Sequence, residues 1–147
     1  MSFVYFTDRD LGKQFPNILR NAGLKVEAHA SHFVHDAPDE EWLAEISARG
    51  WIALTHNQRI RYTPNELQAV IRHRVCLVVI VGHAPFPDLA HAFVATLPRI
   101  ERFLAQREPP FIAKVYRPSP SETARRATAP GRIELWYPQD KKKRRRR

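Results

Sequence analysis

The chain has 147 residues, 44% of them hydrophobic, and a formal net charge of +9. This length and composition suit one domain with a buried core and exclude a chain that is disordered throughout. The single cysteine, Cys76, excludes an internal disulfide framework and agrees with a reducing cytoplasm. The longest apolar run, Val75–Val81, is too short to cross a bilayer, and we find no signal-peptide pattern, so we expect a cytoplasmic protein without a membrane partner.

Strand-like and helix-like segments alternate along the chain. Five apolar, β-prone segments are predicted to be strands, and they cover residues 3–7, 24–28, 51–55, 75–81 and 111–116. Apolar side chains at helical spacing predict four helices between them, starting near Pro16, Pro38, Pro64 and Leu89. Thr63–Glu66 has the pattern of a capping box at the start of the third helix.

This order predicts an α/β fold, a three-layer sandwich with a mainly parallel central sheet. Residues 75–81 are apolar on both faces, which is typical of a central strand covered by helices on both sides. We predict that the α/β domain spans residues 1–117 and that 118–140 form a loop and an edge strand. The seven cations of Lys141–Arg147 repel one another, which predicts a disordered basic tail that either binds polyanions or acts as a solubilising end.

Carboxylates, or an amide in the position of a carboxylate, stand beside the ends of these elements. Asp8 and Asp10 follow the first strand, Asp39 and Glu40 open the second helix, and Asn57 follows the third strand. If the strands are parallel, these segments meet at the edge of the sheet where open α/β folds bind ligands. Mg²⁺ and Mn²⁺ prefer oxygen ligands, so the pattern predicts a site for one of these ions.

Three ordered segments carry a resemblance to a known family. Phe6–Gly12, Asp36–Leu43 and Gly50–Asn57 resemble the PIN-like branch of VapC toxins, and the resemblance covers about residues 3–82. It implies a PIN-like parallel sheet flanked by helices, acids that bind Mg²⁺ or Mn²⁺, and endoribonuclease activity. It also implies an RNA substrate, a cognate antitoxin and a homodimer as partners.

The resemblance also implies roles for individual residues. The implied catalytic residues are Asp8, Asp39 and Asn57, and the implied metal ligands are Asp8, Asp10, Asp39, Glu40 and Asn57. We expect RNA contacts from residues near the same edge, namely Arg9, Lys13, Thr55, His56, Arg59 and Arg61. Asn57 departs from the family pattern, because relatives often carry Thr-x-Asp where this chain has Thr55-His56-Asn57. An amide brings no negative charge, which weakens the hold on a divalent ion.

Other interpretations of the same residues remain open. Asp8 also suits a helix N-cap, and Asp39 suits the first turn of a helix, where the dipole favours acids. A catalytically weak PIN-like module that binds RNA or protein fits the same pattern. A receiver-like domain, in which Asp8 and Asp10 bind Mg²⁺, lacks a phosphoacceptor aspartate at Val81–His83. The spacing of His29, His32 and His35 suggests zinc, but no cysteine accompanies them, and loop histidines are the simpler reading.

Overall fold

The computed structural model describes residues 3–138. The basic tail predicted for residues 141–147 lies outside the described residues, as does the side chain of Arg61. The predicted division of the chain into a domain, a loop with an edge strand and a tail therefore stays a prediction.

Six strands form one sheet in the order β2-β1-β3-β4-β5-β6. They are β1 (Val4–Thr7), β2 (Lys25–Ala28), β3 (Ile52–Thr55), β4 (Cys76–Ile80), β5 (Phe111–Tyr116) and β6 (Arg132–Tyr137). The helices are α1 (Gln14–Asn21), α2 (Asp39–Ala48), α3 (Pro64–Arg72), α4 (Phe86–Ala105) and α5 (Pro120–Arg125). Neighbouring strands from β2 to β5 are parallel, and β6 alone runs antiparallel, beside β5.

The alternation of side chains along the strands divides the core into two layers. On one face, α1 and α4 pack against side chains such as Tyr5 and Val78. On the other face, α2 and α3 pack against side chains such as Phe6 and Leu77. Because β4 is buried on both faces, it occupies the central position that its unbroken apolar run predicts. The predicted three-layer α/β sandwich with a mainly parallel sheet is confirmed.

Direct parallel pairing brings the polar ends of β1 and β3 together. The two strands are neighbours, with Thr7 beside Leu54. The backbone N–H of Asp8 continues this ladder by donating to the carbonyl of Leu54 at 2.9 Å. The residues that follow the two strands therefore meet at the carboxyl edge of the sheet, as we expected from the order of the elements.

Two local predictions differ from the structure. The segment 118–131 contains the helix α5, whereas its Pro, Ser, Thr and Ala content indicated a loop. Ser119 and Glu122 form a reciprocal capping box that starts this helix, with proline at its first position. Helix α1 begins at Gln14 and includes Pro16 in its first turn, slightly earlier than predicted.

Within residues 3–138, no helix combines the length and the apolar character that a membrane crossing requires.

Candidate metal and nucleic-acid site

Asp8 and Asp10 come together at the end of β1. Asp8 is the N-cap of a short 3-10 turn, Arg9–Leu11, and its Oδ1 accepts a hydrogen bond from the Arg9 backbone N–H at 2.7 Å. The capping role that the sequence left open is therefore real, but it occupies one carboxylate oxygen only. The tight turn carries Asp10 back towards β3, where both of its oxygens lie 3.1 Å from the backbone N–H of His56.

Thr55, the last residue of β3, connects the two carboxylates. Its Oγ1 lies 2.9 Å from Oδ2 of Asp8 and 3.1 Å from Oδ2 of Asp10. The same oxygen accepts a hydrogen bond from the Asn57 backbone N–H at 3.2 Å. Thr55 is fully buried, at 0% exposure, and its hydroxyl holds the two acids in position instead of reaching the surface.

Burial, together with the crowding of acids, raises the pKa of the carboxyls at the end of β1. Burial, and next the negative charge of Asp10, raise the pKa of Asp8 to about 7, although the hydrogen bonds from Thr55 and the Arg9 N–H oppose the shift. Burial also raises the pKa of Asp10. Asp39 adds to the upward shift at both carboxyls, so it lies within electrostatic reach of them. An arrangement that disfavours negative charge in this way is typical of sites that hold a cation or move protons.

Helices α2 and α3 place two further acids, Asp39 and Glu66, at the same edge of the sheet. Asp39 is the first residue of α2, and its Oδ1 accepts a hydrogen bond from Nε1 of Trp42 at 3.0 Å. Glu66 lies in the first turn of α3 and faces Asp39. Burial and the Asp39 carboxyl raise the pKa of Glu66 to about 7, and its Oε2 is buried without a hydrogen-bond partner. A buried carboxylate oxygen without a donor favours a bound proton or cation.

Sequence reasoning missed Glu66, because Thr63–Glu66 fits the pattern of a capping box. In the structure Thr63 makes no side-chain cap. Its hydroxyl donates to the carbonyl of Arg59 at 3.2 Å, and the Glu66 carboxyl faces Asp39 at the start of α2. The only signal in the sequence was a glutamate at the start of a helix beside the site, and helix capping explains such a residue equally well.

Two of the predicted metal ligands do not join these acids. The carboxylate of Glu40 is exposed and pairs with Arg72 and His73 instead of facing the other acids. Asn57 lies at the carboxyl edge of the sheet, just after β3, but its Oδ1 accepts a hydrogen bond from the Arg59 N–H at 3.0 Å. The amide therefore stabilises its own loop.

The predicted RNA-binding residues divide into two groups. The guanidinium of Arg9 is fixed beside the acids, donating from Nε to Nδ1 of His29 at 2.8 Å and from Nη2 to the Phe33 carbonyl at 2.9 Å. Burial and the charge of Arg9 lower the pKa of His29, which keeps the ring neutral and able to accept. Lys13 is exposed and lines a pocket that also contains Asp8.

The other group lies on the β3 side. The His56 ring bonds to the Gly82 carbonyl at 2.8 Å and packs edge-on against Phe86, so it connects two loops. Arg59 is exposed in the loop after β3. The assignment of Arg61 concerns a side chain outside the described part of the structure.

The suggested zinc site does not form. His29 bonds to Arg9, and the ring of His32 bonds to Glu27 at 2.7 Å and packs against Trp51. Across residues 3–138, no three side chains of His, Cys, Asp or Glu are close enough together to enclose a metal ion.

The donor chemistry at the sheet edge nevertheless suits a hard divalent cation. The acids there offer oxygen atoms alone, as Mg²⁺ and Mn²⁺ require. The pKa values of Asp8, Asp10 and Glu66 are raised, chiefly by burial, and Glu66 Oε2 has no hydrogen-bond partner, so a bound cation would offset the negative charge of the cluster. The residues thus fit such an ion in kind, and closure around it requires the carboxylates to move together.

Comparison with known proteins identifies the family. The family model described as the PIN like domain matches residues 3–82, which is more than half of the chain and includes β1 to β4 and all four acids. Neither the curated proteins nor the solved structures contain a match to this chain. PIN-like domains are generally nucleases, and they commonly use divalent metal ions. With its mainly parallel sheet and its acids at the carboxyl edge, this chain belongs to the PIN-like domain family.

Proposed function

We propose that the protein is an endoribonuclease that depends on Mg²⁺ or Mn²⁺. The observation that carries the proposal is the convergence of Asp8, Asp10, Asp39 and Glu66 at one edge of the sheet, with Thr55 bridging the first two. These four side chains would hold the ion. A divalent ion in such a site lowers the pKa of a bound water and neutralises charge on the phosphate being cleaved.

The protein's own residues supply position and charge. Thr55 and the His56 backbone N–H fix the orientation of Asp8 and Asp10 before any substrate binds, so the movement needed for closure falls mainly on Asp39 and Glu66. Arg9, with its guanidinium already fixed, and Lys13 would hold phosphates of the strand. Such contacts give affinity without reading sequence.

The first test is RNA cleavage with Asp8→Asn as the key variant. Wild-type protein should cleave a labelled single-stranded RNA in Mn²⁺ and lose the activity in EDTA. Asp8→Asn should reduce kcat/KM by at least about 100-fold, since even the loss of a residue that only supports a metal ligand costs about 10–100-fold.

The matched control is Glu108→Gln, an acid-to-amide change at an exposed residue between α4 and β5. It lies near the opposite edge of the sheet and should leave cleavage unchanged. Equal activity of Asp8→Asn and wild type would show that the active site does not lie at the carboxyl edge of the sheet.

The finer proposal is that the protein is the toxin half of a toxin–antitoxin pair. Its support is the resemblance of three ordered segments to the PIN-like branch of VapC toxins. Induced expression in a bacterial host should arrest growth, whereas Asp8→Asn should not, and a co-expressed antitoxin should relieve the arrest. Growth arrest by both forms would point to toxicity of overexpression and against this role.

A binding module on the same fold is the second candidate. Asn57 in place of an acid and the open spacing of the carboxylates favour it. The same assays separate the two functions, because a binding module would retain RNA in Mn²⁺ without cutting it. Asn57→Asp should then create or raise activity if this position belongs to the metal site.

A further inference from the structure

A pocket opens directly beside Asp8, on the side of the sheet edge where β2 ends. It has a volume of about 400 Å³ and lies between the ends of β1 and β2 and the first turns of α1. This volume falls within the range of about 300–1,000 Å³ that is typical of small-molecule sites. The pocket is therefore large enough to hold one part of a ligand whose neighbouring part lies at the acids.

The charge of the pocket is opposite to that of the acidic cluster. Three cations, Arg9, Lys13 and Arg20, contribute to its walls, against the single acid Asp8. Among residues 3–138, no carboxylate forms an ion pair with any of the three. Their positive charge is thus available to a ligand, and an anionic group is the ligand that it favours.

Neutral groups hold the two arginines of this pocket in place. Arg20 donates from Nε to the Val26 carbonyl at 3.3 Å and from Nη1 to Oδ1 of Asn17 at 3.1 Å. The second contact occupies the amide oxygen of Asn17, which also lines the pocket. Arg9 is fixed in the same way by a neutral ring and a carbonyl. Preorganised donors of this kind lose little entropy when they bind an anion.

We propose that this pocket binds one nucleotide of single-stranded RNA, next to the phosphodiester that the acids engage. The inference rests on the proposed nuclease function and names the pocket, and the residues in it, that hold the strand beside the acids. Lys13 and Arg20 hold the phosphate, and the base enters against Pro16 and the guanidinium planes. A base inside a duplex is paired and stacked, so duplex RNA does not fill the pocket.

The test measures binding without cleavage. A fluorescently labelled ten-nucleotide RNA is titrated with protein in EDTA, and the Kd is read from fluorescence anisotropy. Lys13→Gln and Arg20→Gln should each raise the Kd by about 10-fold, the effect of losing one hydrogen bond from a charged donor. An unlabelled duplex of the same sequence should compete poorly with the single strand.

Matched variants separate charge from folding. Arg102→Gln removes an exposed arginine from the last turn of α4, at the opposite edge of the sheet, and should leave the Kd unchanged. Arg20→Lys keeps the positive charge and should recover part of the affinity that Arg20→Gln loses. Lys13 makes no side-chain hydrogen bond within residues 3–138, so its replacement should not change the melting temperature.

The outcomes distinguish the pocket from the nuclease. An unchanged Kd in both Lys13→Gln and Arg20→Gln overturns the pocket, even if the wild type cleaves RNA. Equal losses in Lys13→Gln and Arg102→Gln also overturn it, since the effect would then be one of net charge. Binding that depends on Lys13 and Arg20 without any Mn²⁺-dependent cleavage supports the pocket and overturns the nuclease.

Discussion

Asp8 is held in a place that does not suit its charge. It is largely removed from water and lies near Asp10, and the two carboxylates share the single hydroxyl of Thr55. One hydroxyl proton can serve one acceptor at a time. The arrangement therefore lowers the free energy of unfolding of the protein when no cation is bound. Such a loss of stability is common where residues are placed for function.

The raised pKa of Asp8 makes the stability of the protein depend on pH. Because the pKa is about 7 in the folded protein against 3.8 ordinarily, protonation of Asp8 stabilises the fold at low pH. That contribution is lost as the pH rises from about 4 to about 7. In EDTA at pH 8, Asp8→Asn should therefore raise the melting temperature by at least about 2–4 °C, the shift that one kcal/mol produces in a domain of this size.

At pH 5 the same variant should melt close to the wild type, because the native carboxyl is then already neutral. Glu108→Gln, at an exposed position, serves as the control and should have no effect at either pH. A melting temperature of Asp8→Asn that is lower than wild type at pH 8 would contradict the buried, crowded position of this acid.

The sequence alone could predict the position of site residues that directly follow a strand or begin a helix. Asp8, Asp10 and Asp39 stand beside element ends in the sequence, and parallel order then carries them to a common edge. Glu66 was not predictable, because its role depends on how closely the starts of α2 and α3 approach each other. Glu40 shows the converse, since nothing local indicates that Arg72 would reach it from another helix.

At the scale of elements, the least predictable feature is the side of the sheet that α4 covers. The crossovers β3–α3–β4 and β4–α4–β5 step in the same direction along the sheet, so equal handedness would place both helices on one face. Instead α4 packs with α1, on the face opposite α3. Its apolar stripe predicts a helix, but such a stripe fits either face of β4 equally well.

The return of the chain into β6 depends on one close approach. Gly131 is buried, its N–H donates to Oγ1 of Thr96 at 2.9 Å, and its carbonyl accepts from Nη1 of Arg99 at 2.7 Å. A Cβ at this position would lie 1.8 Å from the backbone oxygen of Tyr116. The start of β6 is therefore tied to both α4 and β5, and only a glycine fits there.

Gly131→Ala should destabilise the protein by about 3 kcal/mol or more, because β5 and β6 must separate to admit the methyl group. Urea unfolding measures the loss. Gly23→Ala is the comparison, since its added Cβ meets no atom within 4 Å and only the positive φ of 93° is strained. That strain should cost about 1–2 kcal/mol. A smaller loss for Gly131→Ala than for Gly23→Ala would contradict the contact with Tyr116.

For the whole molecule, net charge bears on how RNA would be held. Seven of the cations that give the chain its charge of +9 lie in residues 141–147. The remainder of the chain carries +2 by this count, 9 minus 7. Attraction of RNA by these seven cations would therefore add to the affinity that Lys13 and Arg20 provide. The two contributions can be measured separately.

Removal of residues 141–147 should weaken RNA binding at low salt and flatten its dependence on salt. Each contact to a phosphate of a single strand contributes about 0.7 to the slope of log K against log salt, so the slope should fall by up to about 5. The factor lost in Lys13→Gln should stay the same in the shortened protein. An unchanged slope would identify the tail as a solubilising end.

The antiparallel direction of β6 has a practical result. Its first residue, Arg132, pairs with Tyr116 at the carboxyl end of β5, and its last, Tyr137, pairs with Ile112. The described chain thus leaves the sheet at the side where β1 enters it, and both of its ends face away from Asp8. Protein immobilised on a sensor surface through either end would present its acidic side to the solution, free to meet a passing strand.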